Sequence, residues 1–231
     1  MIIAIDGPAG SGKSTIARCV AEKLGGVYLD SGAMYRAVAW ALSCERLLDT
    51  DDAVLERALA SLPLEFVVRD ARLQILWRGA PLGLEIRTPD IAHAASAIAQ
   101  KPPVRRFLLQ HQRRLAQDAL LVAEGRDMGT VVFPKAEVKV FLTASPEERA
   151  RRRVAQYHEQ GTHADYQVVL EALKARDHAD AHRSLAPLKP ADGAVVVDTS
   201  GLSIPQVAQV VMDLVESTKR KEAQRKGSRA D

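Results

Sequence analysis

Cysteine and aromatic side chains are scarce in this chain of 231 residues, with two cysteines and aromatics at 4%. Cys19 and Cys44 provide neither a disulfide framework nor the ligand spacing of a zinc site. No apolar run approaches the roughly eighteen residues of a membrane span. Met1-Ile2-Ile3-Ala4-Ile5 meets Asp6 too early for a secretory leader, so the expectation is a cytoplasmic protein without a membrane partner. The six histidines are scattered, and no Ser–His–Asp arrangement emerges. Charge of one sign is also in short supply, the net being +3. Part of it lies in residues 219–231, with Lys219, Arg220, Lys221, Arg225, Lys226 and Arg229. That segment lacks an apolar stripe and reads as a disordered, solvated tail past about residue 218. A nucleic-acid contact is the alternative for it.

What the chain does have is an ordinary globular balance of 47% apolar and 26% charged residues, in a length that suits one large or two small domains. Its strongest signal is Gly7-Pro8-Ala9-Gly10-Ser11-Gly12-Lys13-Ser14. This fits G-x-x-x-x-G-K-[ST], the phosphate-cradling P-loop. The flanks agree: Ile2–Ile5 reads as a buried strand, and Lys13–Leu24 as a helix with Ile16, Ala17, Val20, Ala21 and Leu24 on one stripe. Successive backbone N–H groups and the positive helix end then face an anion. Gly7 through Thr15 form the candidate nucleoside triphosphate site. In such a loop Lys13 holds the β- and γ-phosphates and Ser14 ligates Mg²⁺.

Five segments read as buried strands: Ile2–Ile5, Val27–Leu29, Leu120–Ala123, Val138–Thr143 and Ala194–Val197. Helical patterns between them predict a five-stranded parallel α/β sheet with helices on both faces. Ligands collect at the carboxyl ends of such strands, near Asp6, Asp30, Glu124, Thr143 and Asp198. Between Leu62 and Glu85 the pattern changes to an antiparallel insertion, Leu64–Arg69 and Arg72–Arg78 joined through Asp70-Ala71. Thr88-Pro89 reads as N-cap and first helical residue. Pro102-Pro103 opens a helix running to about Asp118. Ser145-Pro146-Glu147-Glu148 is a capping box. Gly161-Thr162 interrupts the helix it opens before another begins near Asp165, and the broken pair reads as a mobile lid.

Three clusters carry chemistry beyond the loop. In Asp30-Ser31-Gly32-Ala33-Met34-Tyr35-Arg36, Ser31 can cap the next helix, and Ser31, Tyr35 and Arg36 share a crevice suited to a second phosphate. An ordinary N-cap with a surface arginine is the alternative. Glu124 ends an apolar strand at the Walker-B position, which holds Mg²⁺ directly or through water. Arg126 and Asp127 follow it as a donor–acceptor pair on a glycine-flanked loop, a local surface pair being the alternative. Arg149, Arg152 and Arg153 share one helix face, and Arg176, Asp180 and Arg183 another. Arginine forks clamp phosphoryl oxygens, although a solvated charged face has the same spacing.

Taken together, these motifs resemble the bacterial cytidylate kinases of the nucleoside monophosphate kinase group. The likeness runs from Ile2 to about residue 217. It rests on Gly7–Lys13, Asp30–Arg36, Glu85–Thr88, Gly125–Pro134 and Arg176–Arg183. It implies a P-loop core at 1–30 and 119–218, with the lid at about 145–165. A monophosphate-binding region follows at 31–118, its insertion spanning about 62–97. It implies phosphoryl transfer from Mg-bound ATP to CMP, with dCMP as second acceptor, by a monomer with no nucleic-acid partner. By position, Ser31, Arg36, Arg126 and Arg183 resemble the grip on the acceptor phosphate. Ser96, Arg105 and Asp127 resemble the cytosine readers, and Arg176 and Asp180 the sugar contacts. Arg149, Arg152 and Arg153 resemble lid arginines around the transferring phosphates. Glu124 stands where many members have Asp. Kinases of the same fold for UMP, AMP or shikimate, and a slow nucleotide-binding switch, are the rival readings.

Overall fold

The computed structural model describes residues 1–117, 120–159 and 161–227. Its sheet is built around β1 (Ile2–Asp6), which is flanked in parallel by β6 (Leu121–Gly125) and β7 (Val138–Thr143). Strand β2 (Val27–Asp30) pairs outside β6, and β8 (Val195–Asp198) outside β7, again in parallel. These are the five parallel strands expected. Their continuous apolar runs reflect burial on both faces. Ile3 and Ile5 pack into the cluster of α1 (Lys13–Leu24), with Val20, Val122, Val140, Val211 and Val215. Ala4, between them, faces the opposite cluster with Leu29, Met34, Leu42, Leu108 and Leu121. That second layer is carried by α2 (Ser31–Cys44) and α5 (Pro102–Leu115), the latter ending three residues before the expected Asp118, which lies outside the described residues.

Helix α3 (Asp52–Ser61) leads into the antiparallel insertion. The insertion does not stand apart from the core: it extends the same sheet. Strands β3 (Leu64–Arg69) and β4 (Arg72–Trp77) pair throughout, β5 (Ala80–Pro81) adds to β4, and β4 meets β2 at Tyr28 and Arg72. The two-residue turn has Asp70 and Ala71 both at positive φ, 51° and 56°, the twist that a tight hairpin demands. Trp77 lies edge-on to Trp40 of α2 at 5.5 Å and fastens the hairpin to the core. Helix α4 (Pro89–Ile98) starts where expected, with Thr88 Oγ1 accepting from the Ile91 N–H at 3.3 Å.

The broken helix pair is α6 (Pro146–Glu159) and α7 (Tyr166–His182), packed through Ala150, Leu170 and Leu173. Only half of the Ser145 capping box forms. Ser145 Oγ accepts from the Glu148 N–H, but the Glu148 carboxylate is drawn to Arg151 and Arg152. The final helix, α8 (Ile204–Gly227), covers α1 with Val207, Ala208, Val211 and Val215. It runs past the residue 218 expected to begin a disordered tail. Strong helix formers and an Arg220–Glu216 pair one turn apart carry it on without an apolar stripe. Residues 228–231 lie outside the described ones.

Candidate active site

The carboxyl ends of β1, β2 and β6 converge on one crevice, and the P-loop closes its donor side. Gly12, at φ 89°, caps α1 without any side-chain bond, so the first N–H groups of the helix are left for a ligand. Gly7 must be glycine, since a Cβ there would lie 2.0 Å from the Leu142 carbonyl oxygen. At rest the loop closes on itself. Lys13 Nζ donates to the Pro8 carbonyl at 2.7 Å, and Ser11 Oγ donates to the same oxygen at 3.0 Å. Burial and then the Arg126 guanidinium depress Lys13, while Glu124 and Asp6 oppose them.

Ser14 Oγ donates to Glu124 Oε1 at 2.6 Å, and the Tyr28 hydroxyl reaches the same oxygen at 3.3 Å. A hydroxyl and a carboxylate placed together at the loop supply two hard oxygen ligands. That donor set fits Mg²⁺, which takes few protein ligands and completes its shell with phosphate and water. Burial, then the charge of Asp30, raises Glu124 above the usual carboxylate range.

The acceptor side draws on α2, α5, α7 and the loop after β6. Asp30 rather than Ser31 caps α2, its Oδ1 accepting from the Ala33 N–H at 2.7 Å. The strand ends one residue earlier than a Ser31 cap requires, so Ser31 is the first helical residue and is buried. It lies against Gly125, where a Cβ would come within 2.5 Å of Ser31 Oγ. Arg36 returns to Asp30 at 3.4 Å. Tyr35, half-buried beside Asp127, is pushed up to about 12 by desolvation and then by that charge.

Asp127 is the hub. It is 3% exposed, ion-paired to Arg105 of α5, and 4.0 Å from Arg183 Nη2. That Nη2 is buried without a hydrogen-bond partner among the described residues. Arg126 Nε donates to Asp180 Oδ2 at 2.8 Å. Arg183 does not continue the face of Arg176 and Asp180: α7 ends at His182, and Arg183 turns out of it with ψ 141°. Arg176 is exposed overall, yet desolvation, then the charge of Arg126, depresses it, with Arg36 and Arg153 adding to the repulsion. The structure thus gathers Arg36, Arg105, Arg126, Asp127, Arg176, Asp180 and Arg183. Ser96 is half-buried on α4, and among the described residues no hydrogen bond ties it to Asp127.

The three arginines of α6 turn three ways. Arg149 is 3% exposed and donates to the carbonyls of Ala144 and Ala9. Arg152 donates twice to Thr199, beyond β8. Arg153 is exposed and lies over the Tyr157 ring at 4.9 Å. Besides Tyr28 on Glu124, two further participants were not in the predicted set. Asp6 accepts from the Met128 and Gly129 N–H groups, both at 2.8 Å, and so fastens the Arg126–Asp127 loop to β1. Its place as the last residue of a strand running into the P-loop was the available signal. Asp177 pairs with Arg149 at 2.6 Å, a contact that no spacing rule foretells.

The family model "Cytidylate kinase" matches residues 3–217. The cytidylate kinase of Oleidesulfovibrio alaskensis is 44% identical over 212 residues, covering 92% of this chain and 96% of that one. The cytidylate kinase of Pasteurella multocida is 44% identical over 217 residues, 94% and 95% of the two chains. The crystal structure of an uncharacterized protein from Eubacterium ventriosum shares the fold at 13% identity and a TM-score of 0.51, covering 94% of this chain and 98% of that one. With a matched span that takes in the loop, the Asp127 hub and α7 alike, the chain belongs to the cytidylate kinase family.

Proposed function

We propose that this protein transfers the γ-phosphoryl group of ATP to CMP, and to dCMP, giving ADP and CDP or dCDP. One observation carries the reading: the buried Arg105–Asp127–Arg183 cluster lies across the crevice from Lys13 and the Ser14–Glu124 pair. A triphosphate site therefore faces a second site that has both cationic groups and a base-reading carboxylate.

The acceptor phosphate of CMP is gripped by Ser31, Arg36, Arg126 and Arg183. One of its oxygens attacks the γ-phosphorus in line, the bond to the β,γ-bridging oxygen breaks, and ADP leaves. A phosphate monoester is already a competent nucleophile near neutral pH, so no strong base is required. Lys13 leaves the Pro8 carbonyl for the β- and γ-phosphates, and Arg126, Arg153 and Arg183 balance charge spread over the moving group. Ser14 and Glu124 would hold Mg²⁺, which supplies charge neutralisation and orientation of the phosphates. Asp180 keeps Arg126 aimed, and Arg176 and Asp180 face the sugar. The lid helices exclude water when they close. The same reading has the protein acting as a monomer in the cytoplasm, a size of one chain in solution being the check.

Cytosine presents an N4 donor and N3 and O2 acceptors. Asp127 accepts from N4, and Arg105 donates to N3 or O2. Uracil sets O4 against the carboxylate, and such a mismatch is strongly rejected when buried. Asp127→Ala and Arg105→Ala, assayed with CMP, dCMP and UMP, test this. The CMP value of kcat/KM falls by roughly 10²-fold or more while UMP changes far less, so the preference collapses. Equal losses on all three acceptors would make both residues structural and sink the base-reading assignment.

A further inference from the structure

Arg149 and Asp177 lie away from the acceptor hub and belong to different helices. Arg149 uses three donor groups on three parts of the molecule. Nε donates to Ala144 beyond β7 at 3.0 Å, Nη1 to Ala9 of the P-loop at 3.1 Å, and Nη2 to Asp177 Oδ2 at 2.6 Å. Its stem is pressed against the loop as well, for a Cβ on Gly10 would come within 3.2 Å of Arg149 Cβ. A guanidinium held at both ends of its fork and packed along its stem has one geometry available.

Asp177 follows Arg176 in the chain. Successive residues of a helix diverge by about 100°. Arg176 therefore faces the crevice with Arg126, Arg36 and Arg153, while Asp177 faces α6 and the loop. One turn later Asp180 holds Arg126, and Arg183 reaches toward Asp127. Helix α7 and the residue after it thus reach the acceptor side through Arg176, Asp180 and Arg183, and through Asp177 they reach Arg149, which bonds the donor loop. The other Asp177 oxygen, Oδ1, is buried without a hydrogen-bond partner among the described residues. A carboxylate half-satisfied at rest stands to gain from a small movement of α6 on α7.

We infer that Asp177 is a positioning residue that sets the P-loop through Arg149 and thereby couples occupancy of the acceptor site to binding of the donor. It touches neither nucleotide. Acceptor binding fixes α7 through Arg176, Asp180 and Arg183. The Asp177–Arg149 pair passes that restraint to the Ala9 carbonyl, beside the Pro8 carbonyl that Lys13 must release. This rests on the kinase reading above, and the experiment separates the two.

Dissociation constants of a non-hydrolysable ATP analogue are measured with and without saturating CMP, on the wild type, Asp177→Asn, Asp177→Glu and Arg149→Lys. In the wild type, CMP tightens the analogue by about 5-fold or more. In Asp177→Asn the factor falls to within about 2-fold of unity, while CMP alone binds as in the wild type. Asp177→Glu restores part of it, and Asp177→Asn combined with Arg149→Lys is no worse than the poorer single variant. A coupling factor that survives Asp177→Asn would overturn the inference, as would a wild type without coupling. So would weakened binding of CMP alone, which would make Asp177 a direct acceptor contact. A variant that loses thermal stability with its coupling intact counts against it equally. Wild-type turnover of CMP is assayed in parallel, and its absence would refute the kinase reading instead.

Discussion

The donor loop and the acceptor crevice are built on opposite plans. In the donor loop the working side chains already have partners from the fold, and backbone N–H groups at the start of α1 are what is left open: Lys13 has the Pro8 carbonyl, Ser14 has Glu124, and the Ala9 carbonyl has Arg149. The crevice opposite is crowded with like charge. Arg36, Arg105, Arg126, Arg176 and Arg183 answer to Asp30, Asp127 and Asp180, and one nitrogen of Arg183 is buried with no hydrogen-bond partner among the described residues. Folding partners the side chains of the donor half, whereas on the proposed reading the acceptor phosphate answers the charge of the other half. Lys13 and Glu124 carry charges that burial disfavours, so changing them should cost turnover and little stability.

Lys13→Met puts the largest strain on that contrast. Lys13 is 5% exposed, and burial already disfavours its charge. The Pro8 carbonyl keeps Ser11 Oγ as a donor after the substitution. The expected fall in kcat is about 10²- to 10³-fold, the loss of one preorganised charge donor. The thermal midpoint should stay within a few degrees of the wild type, because a desolvated ammonium has been removed from the interior. Calorimetry showing a stability loss in step with the activity loss would break the contrast.

Glu124→Gln sharpens it at an intermediate size. The amide still accepts from Ser14 but lacks the charge that a divalent cation needs. The Mg²⁺ concentration giving half-maximal rate should rise by about 10- to 100-fold. The KM for CMP at saturating Mg²⁺ should hold. Glu124 feels the charge of Asp30, so the two halves meet at this residue. A matching rise in the KM for CMP would move Glu124 to the acceptor side.

The two plans also explain what the sequence made legible. The loop is contiguous, and its flanking strand and helix carry clean apolar periods, so α1 begins and ends at the residues its pattern predicts. The β3–β4 hairpin is legible for the same local reason. The crevice is not contiguous: Arg105 and Asp127 lie 22 residues apart, and Arg126 and Asp180 54. Spacing cannot bring such pairs together: the family resemblance grouped Arg105 with Asp127, but it gave Arg126 and Asp180 separate tasks. Arg149 shows the limit of helical spacing. Its period with Arg152 and Arg153 says which side chains share a face, but not that Ala9 and Asp177 lie opposite one of them. Asp30 took the cap from Ser31 because the strand end, set by pairing with β6, decides which of two adjacent polar residues stands at the helix start.

Asp6 carries the smallest expected effect, and it tests the seam between the halves. It ends β1 on the donor side and fastens the loop of Arg126 and Asp127 on the acceptor side. Burial pushes its carboxyl up to about 6 from 3.8, against the lowering effect of the Gly129 and Met128 N–H groups. A folded value above the unfolded one means the native state binds the proton more tightly. The stability Asp6 contributes is therefore full below 3.8 and is lost as pH rises through about 6. The whole effect is at most about 3 kcal/mol. Other buried acids, Glu124 among them, slope the same way, so the difference between wild type and Asp6→Asn isolates this residue. Thermal midpoints measured from pH 4 to pH 7 should fall less steeply with rising pH in Asp6→Asn. The asparagine carbonyl can serve one of the two N–H groups well but its amide repels the other, so the loop loosens. The KM for CMP should then rise a few-fold while the KM for ATP holds. Parallel pH profiles in the two proteins would show that the two backbone donors keep Asp6 ionised throughout this range, and the seam would then be held by charge rather than by a shared proton.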